Sequence, residues 1–145
     1  MSDITILIID GGVGGPNLDR ERLTEQNDMF SNKREMAFFF KEYQKYRTVS
    51  TIAEARQYLA HTLPDIVLLD SFLPDGDSIE FCRELRRLSD FYILFLTIDI
   101  DAELEESAIR AGADNFVSKY EPSEKLILRV DGIARRIRAN GKQRE

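Results

Sequence analysis

Apolar residues follow two rhythms along this chain. The first is the short unbroken run: Ile4-Thr5-Ile6-Leu7-Ile8-Ile9, Ile66-Val67-Leu68-Leu69 and Phe91-Tyr92-Ile93-Leu94-Phe95-Leu96. Runs of this length, rich in Ile, Val, Leu and aromatics and closed by polar or turn residues, predict strands buried on both faces. Such strands belong to parallel sheets covered by helices. Residues 47–51 and 115–118 read as two further short strands. The second rhythm repeats every three or four residues and predicts amphipathic helices. It runs over residues 32–46 through Met36, Phe39, Phe40 and Tyr43, and over 53–63 through Ala55, Tyr58 and Leu59. It returns over 78–88 through Ile79, Cys82, Leu85 and Leu88, and over the acidic stretch 101–111, closed by Gly112. Pro122 opens a last helix carrying Leu126, Ile127, Val130 and Ile133 on one side, because proline suits a first helical turn. Between the first strand and first helix lie Gly11-Gly12-Val13-Gly14-Gly15-Pro16, unsuited to regular structure, and a polar stretch to Asn27.

Strands alternating with helices give an α/β protein with a parallel sheet and helices on both faces. Right-handed crossovers leave few topologies. Five strand–helix units match the flavodoxin-like (βα)5 arrangement, with strand order 2-1-3-4-5. Strands 1, 3, 4 and 5 then end close together, where ligands gather in such sheets. The residues at those four ends are Asp10, Asp70, Thr97 and Lys119. Asp70 precedes Ser71-Phe72-Leu73-Pro74-Asp75-Gly76. By position it either caps that turn or carries chemistry, since an aspartate is rarely buried without a partner.

Composition narrows the classes. A length of 145 residues fits one domain. The net charge of −6 argues against general attraction to nucleic acid or anionic membrane. No apolar run is long enough to span a bilayer, and Met1-Ser2-Asp3 lacks the basic start of a signal peptide. The one cysteine, Cys82, excludes an intramolecular disulfide and fits a reducing cytoplasm as a buried apolar residue. The one histidine, His61, has no second His or Cys near it and reads as a helix-end residue.

No histidine base is paired with a nucleophilic serine, so the four strand-end residues do not form a hydrolase triad. They suit an aspartate that accepts a phosphoryl group, since a carboxylate can form an aspartyl phosphate. Lys119, the Thr97 hydroxyl and a divalent cation would stabilise the transferring oxygens. Magnesium is held by one or two carboxylates plus phosphate and water, and Asp10 is the obvious carboxylate. A nucleotide site on the glycine-rich turn fits poorly. Counting from Gly12, the third glycine of the fingerprint falls at Asn17, and no P-loop lysine follows.

Taken in order, these residues resemble a response-regulator receiver domain of two-component signalling, in the CheY-like superfamily. The resemblance covers about residues 4–138. It rests on Asp70 with Leu73-Pro74-Asp75-Gly76, on Thr97 after an apolar strand, on Ala111-Gly112-Ala113-Asp114, and on Lys119 after Phe116-Val117-Ser118. The resemblance implies that Asp70 is the phosphoacceptor and Lys119 the phosphate-contacting lysine. It makes Thr97 and Phe116 the switch residues, and Asp10, Asp70 and the Phe72 backbone carbonyl the Mg²⁺ ligands. It also implies a signalling domain rather than an enzyme, although one that promotes its own phosphoryl transfer and dephosphorylation. The donor would be a histidine kinase or phosphotransfer protein. The result would be a changed face of fourth helix, fifth strand and fifth helix, with homodimerisation. A receiver at residues 3–138 is expected, with an insertion at about 11–27 and a tail or linker at 139–145. That linker would lead to an absent C-terminal DNA-binding output domain.

The chain departs from the family pattern in four places. Gly11 stands where the second acidic residue is usual, so Mg²⁺ binding is expected to be weak unless Asp28, beyond the insertion, replaces that ligand. Ile98 follows Thr97 where a small residue is usual, and Ser78 replaces a common glycine. Tyr120 follows Lys119 where many members carry proline, so the lysine is expected to be aimed differently. These departures leave open a degenerate receiver used as a phosphorylation-independent dimerisation or docking module. Retention of Asp70, Thr97 and Lys119 favours the competent form.

Overall fold

The computed structural model describes residues 2–11, 43–98, 101–119, 121 and 123–144. Five parallel strands form the main sheet in the order β2-β1-β3-β6-β7. They are β1 (Ser2–Ile9), β2 (Tyr43–Val49), β3 (Ile66–Asp70), β6 (Tyr92–Thr97) and β7 (Asn115–Ser118). A two-stranded hairpin, β4 (Phe72–Leu73) and β5 (Gly76–Asp77), turns around Pro74-Asp75 just past β3. The described helices are α1 (Ile52–Leu59), α2 (Ser78–Leu88), α3 (Ala102–Ala111) and α4 (Ser123–Arg144). With the hairpin set aside, the sheet order is the 2-1-3-4-5 that the alternating pattern predicts, and the fold is flavodoxin-like.

The strand runs bury both faces, as their unbroken apolar character requires. On one face Leu7, Ile9, Val67, Leu69, Ile93 and Phe95 pack against Ala55 and Leu59 of α1, Phe81, Cys82 and Leu85 of α2, and Ala108 and Ala111 of α3. On the other, Ile6, Ile8, Leu68, Leu94 and Leu96 pack against Leu126, Val130 and Ala134 of α4. Successive residues of one strand thus serve opposite cores, the period-two alternation of a pleated strand. Burial also pushes the Cys82 thiol up to about 11, as expected of a small core residue.

Three boundaries differ from the sequence pattern. Tyr43 belongs to the helical rhythm, yet β2 begins there, because it pairs with Ser2 of β1 in the ladder. Non-local pairing outweighs local periodicity, and Tyr46 packs on the sheet core. The predicted helix over 32–42 lies outside the described residues, as do the insertion from Gly12 onward and Asp28. Helix α1 ends at Leu59, four residues before Leu63. The Thr62 amide turns back to the Tyr58 carbonyl, and Pro64 disfavours helical geometry at Leu63. His61 sits in that exposed turn. At the other end, α4 continues to Arg144, through most of the 139–145 stretch expected to be a tail or linker.

Two polar devices hold the loops around the strand ends. Asp75, in the hairpin turn, accepts from the Ile52 and Ala53 amides at 2.8 and 3.0 Å and caps α1 from across the fold. Those bonds hold its carboxyl below the usual range. Arg86 of α2 donates to the carbonyls of Gly112, Ser89 and Phe91 and pairs with Asp114 at 2.8 Å. Gly112, at φ 120°, gives α3 a left-handed end, and any Cβ there would lie 2.8 Å from the Arg86 Cβ.

Candidate phosphoryl-acceptor site

Strand register assembles the site. Ile9 of β1 pairs with Leu69 of β3, so Asp10 and Asp70 leave adjacent strands at the same level. The neighbours of β1 diverge here, β2 to one side and β3 to the other, which makes this the switch point of the sheet. Thr97 ends β6 and Lys119 follows β7, with the Lys119 amide donating to the Thr97 carbonyl at 2.8 Å.

Lys119 joins the two carboxylates. Its Nζ lies 3.1 Å from Asp70 Oδ2 and 3.4 Å from Asp10 Oδ1. The residue is only 2% exposed, as is Asp70. Lys119 therefore reaches Asp70 although Tyr120, not proline, follows it. Two carboxylates against one buried ammonium leave a net negative charge if all are ionised. Burial pushes the Asp70 carboxyl up to about 7; Lys119 opposes that shift and Asp10 adds to it. Asp70 also accepts from the backbone. The Gly11 amide donates to Oδ2 at 3.1 Å and the Phe72 amide to Oδ1 at 3.3 Å.

Thr97 is fully buried. Its hydroxyl accepts from Ser71 Oγ at 3.0 Å, and the Ser71 amide donates to the Leu96 carbonyl at 2.7 Å. Ser78 Oγ donates to the Asp70 carbonyl at 2.7 Å, so the serine that replaces a common glycine ties α2 to β3. Phe116 is half-buried, with its ring stacked on Phe95 at 5.9 Å between centroids and an interplanar angle of 8°. Ile98 is half-buried beside Thr97. Sequence reasoning missed the Gly11 amide and both serine hydroxyls. The signal for Ser71 is a polar residue immediately after the acceptor position, where an apolar strand exit would serve as well.

Such an arrangement offers a buried carboxylate, an ammonium in contact with it and a hydroxyl one strand away. The family model of the response regulator receiver domain matches residues 27–131. The chain belongs to the response-regulator receiver family. The match starts beyond β1, so Asp10 joins the site through strand pairing with β3 rather than through the matched sequence. Over 80 residues the chain is 40% identical to the transcriptional regulatory protein BaeR of Escherichia coli O6:H1, covering 54% of this chain and 33% of that protein. A two-component response regulator from Clostridium difficile is similar in structure, with a TM-score of 0.72 at 23% identity over 93% of this chain and 98% of that one. A response regulator protein from Burkholderia pseudomallei, solved with a phosphorylated aspartic acid, a calcium ion and citrate, gives a TM-score of 0.67 at 19% identity, covering 99% and 75%. At these identities the structural likeness concerns the fold. The chain spans less than half the length of the curated relatives it matches.

Receiver domains are signalling domains rather than enzymes, and they generally bind Mg²⁺ at the phosphorylation site. The residues described here fit such an ion poorly. No group of three or more His, Cys, Asp or Glu side chains among the described residues is placed to hold a metal. Asp10 and Asp70 both face Lys119. The Phe72 carbonyl oxygen, the third expected ligand, has the Gly11 backbone against it: a Cβ on Gly11 would lie 2.2 Å away.

Proposed function

We propose that this chain is the phosphoacceptor receiver domain of a two-component response regulator, phosphorylated on Asp70. The observation that carries the reading is the Lys119 ammonium, buried and 3.1 Å from Asp70 Oδ2 at the switch point of the sheet. An Asp70 oxygen attacks the phosphorus of the donor, and the bond to the leaving group breaks as the aspartyl phosphate forms. Lys119 meets the developing charge on the phosphoryl oxygens, and Thr97 turns its hydroxyl toward them. Asp10 also holds Lys119. Mg²⁺ affinity is weaker than usual for the family, because Gly11 stands where a second acidic residue would.

The donor is a histidine kinase or phosphotransfer protein, and the receiver occupies residues 3–138 in the cytoplasm. The output is a changed face formed by α3, β7 and α4. Thr97 moves inward on phosphorylation, and the Phe116 ring turns into the space this opens. Helix α3 is acidic through Glu103, Glu105 and Glu106, and α4 is basic through Lys125, Arg129, Arg135 and Arg136. Both also expose apolar side chains, Ile109 and Leu128. Two such faces complement one another as a homodimer. BaeR is named a transcriptional regulator, which supports a DNA-binding output domain beyond this chain.

Intact-mass analysis after incubation with acetyl phosphate tests the reading. One phosphoryl addition is expected, absent in Asp70→Asn. Persistence of the addition in that variant would falsify the assignment. No addition to the wild type would favour the phosphorylation-independent docking module.

A further inference from the structure

Gly11 is a lost ligand by sequence and a donor by structure. An ideal Cβ at this position would lie 2.2 Å from the Phe72 carbonyl oxygen and 3.1 Å from the Leu73 Cα. Both obstacles are backbone, which cannot swing aside as a side-chain end can. A carboxylate at position 11 would therefore need the β3–β4 connection to move. What the backbone does there is donate its N–H to Asp70 Oδ2 at 3.1 Å. The same oxygen faces Lys119 Nζ at 3.1 Å. Two donors thus engage Oδ2, while Oδ1 accepts from the Phe72 amide at 3.3 Å. Mg²⁺ demands near-ideal octahedral geometry at about 2.1 Å from each oxygen and gives up water reluctantly. A ligand set with Oδ2 already engaged and the Phe72 carbonyl crowded meets that demand badly.

We propose that the Gly11 amide and the Lys119 ammonium take the place of a resident divalent cation at Asp70. The site then accepts a phosphoryl group from a small acyl phosphate without Mg²⁺. This rests on Asp70 being the acceptor, and it adds the identity of the groups that replace the metal. The step balances without a further reactant. Asp70 Oδ1 forms a bond to phosphorus as the bond from phosphorus to the acyl oxygen breaks. The electron pair leaves with acetate, which needs no proton at neutral pH. Lys119 and the two amides stand fixed around the carboxylate beforehand, and donors that need no reorganisation are the effective ones.

Two measurements on the full chain separate this proposal from the reading it rests on. The first is a Mn²⁺ titration followed by electron paramagnetic resonance of the free ion, for wild type and Asp70→Asn. Superimposable curves with no saturable site are expected. A site filled in wild type and lost in Asp70→Asn overturns the proposal. The second compares acetyl phosphate labelling in EDTA and in excess Mg²⁺. Equal rates are expected, whereas labelling abolished by EDTA and restored by Mg²⁺ overturns the proposal. If neither condition labels Asp70, the phosphoacceptor reading fails, and the Mn²⁺ curves still decide whether protein donors have replaced the cation.

Discussion

Burial, an ammonium and a second carboxylate compete at Asp70. The outcome is a carboxyl raised from 3.8 to about 7, with desolvation the largest cause. The folded state therefore holds this proton more tightly than the unfolded chain. The stability so gained is fully present below about pH 4 and is lost as pH rises through about 7. Asp70→Asn removes the buried charge while leaving Lys119 paired with Asp10. It should stabilise the fold above neutrality by on the order of 1–3 kcal/mol, and this advantage should shrink toward pH 4. Thermal melts of both proteins across that range check it; a pH-independent difference would contradict the raised value. Asp70, Lys119 and Thr97 were legible in the sequence because few residue types can do their chemistry and each stands at a strand end. Gly11 was not legible as a donor, because a backbone amide has no residue type. The Ser71–Thr97 hydroxyl pair depends on β3 and β6 leaving the sheet in register, which no local pattern encodes.

Among the elements, the central strands are legible from apolar runs alone, since burial on both faces leaves little room for polar residues. Strand β2 was displaced because it is an edge strand with exposed Arg47 and Thr48 and no such run. The β4–β5 hairpin was visible only as a turn. What fixes α3 relative to β7 is the Arg86 fork, which holds the α3 end at Gly112 and the β7 entry at Asp114 together. Arg86→Ala strips donors from three carbonyls and should cost about 2–3 kcal/mol. Lysine should not rescue it, because one ammonium cannot reproduce the planar fork. Chemical denaturation of both variants checks the claim; full rescue by lysine would show that charge alone matters.

Across the whole molecule, the sheet order brings together residues 109 positions apart, Asp10 and Lys119. The order follows from alternating elements and right-handed crossovers, which is why the sequence alone places these residues at the carboxyl edge of the sheet. A phosphoryl group shifts a molecule only by binding one state better than the other, so switching by this chain would require Thr97 and Lys119 to gain contacts in the active form. Beryllofluoride, a phosphoryl mimic, should raise the dimer fraction in sedimentation velocity. Thr97→Ala should abolish that rise while Asp70 stays reactive. A chain that binds the mimic and remains monomeric, with no change in the Phe116 resonances, does not switch through the α3–β7–α4 face.

The acceptor itself can be read chemically. After incubation with acetyl phosphate, borohydride reduces an aspartyl phosphate to homoserine, and peptide mass mapping then locates the converted residue. The geometry around Lys119 predicts homoserine at position 70 and an unchanged aspartate at position 10. Homoserine at position 10, or at any aspartate other than 70, would contradict the account.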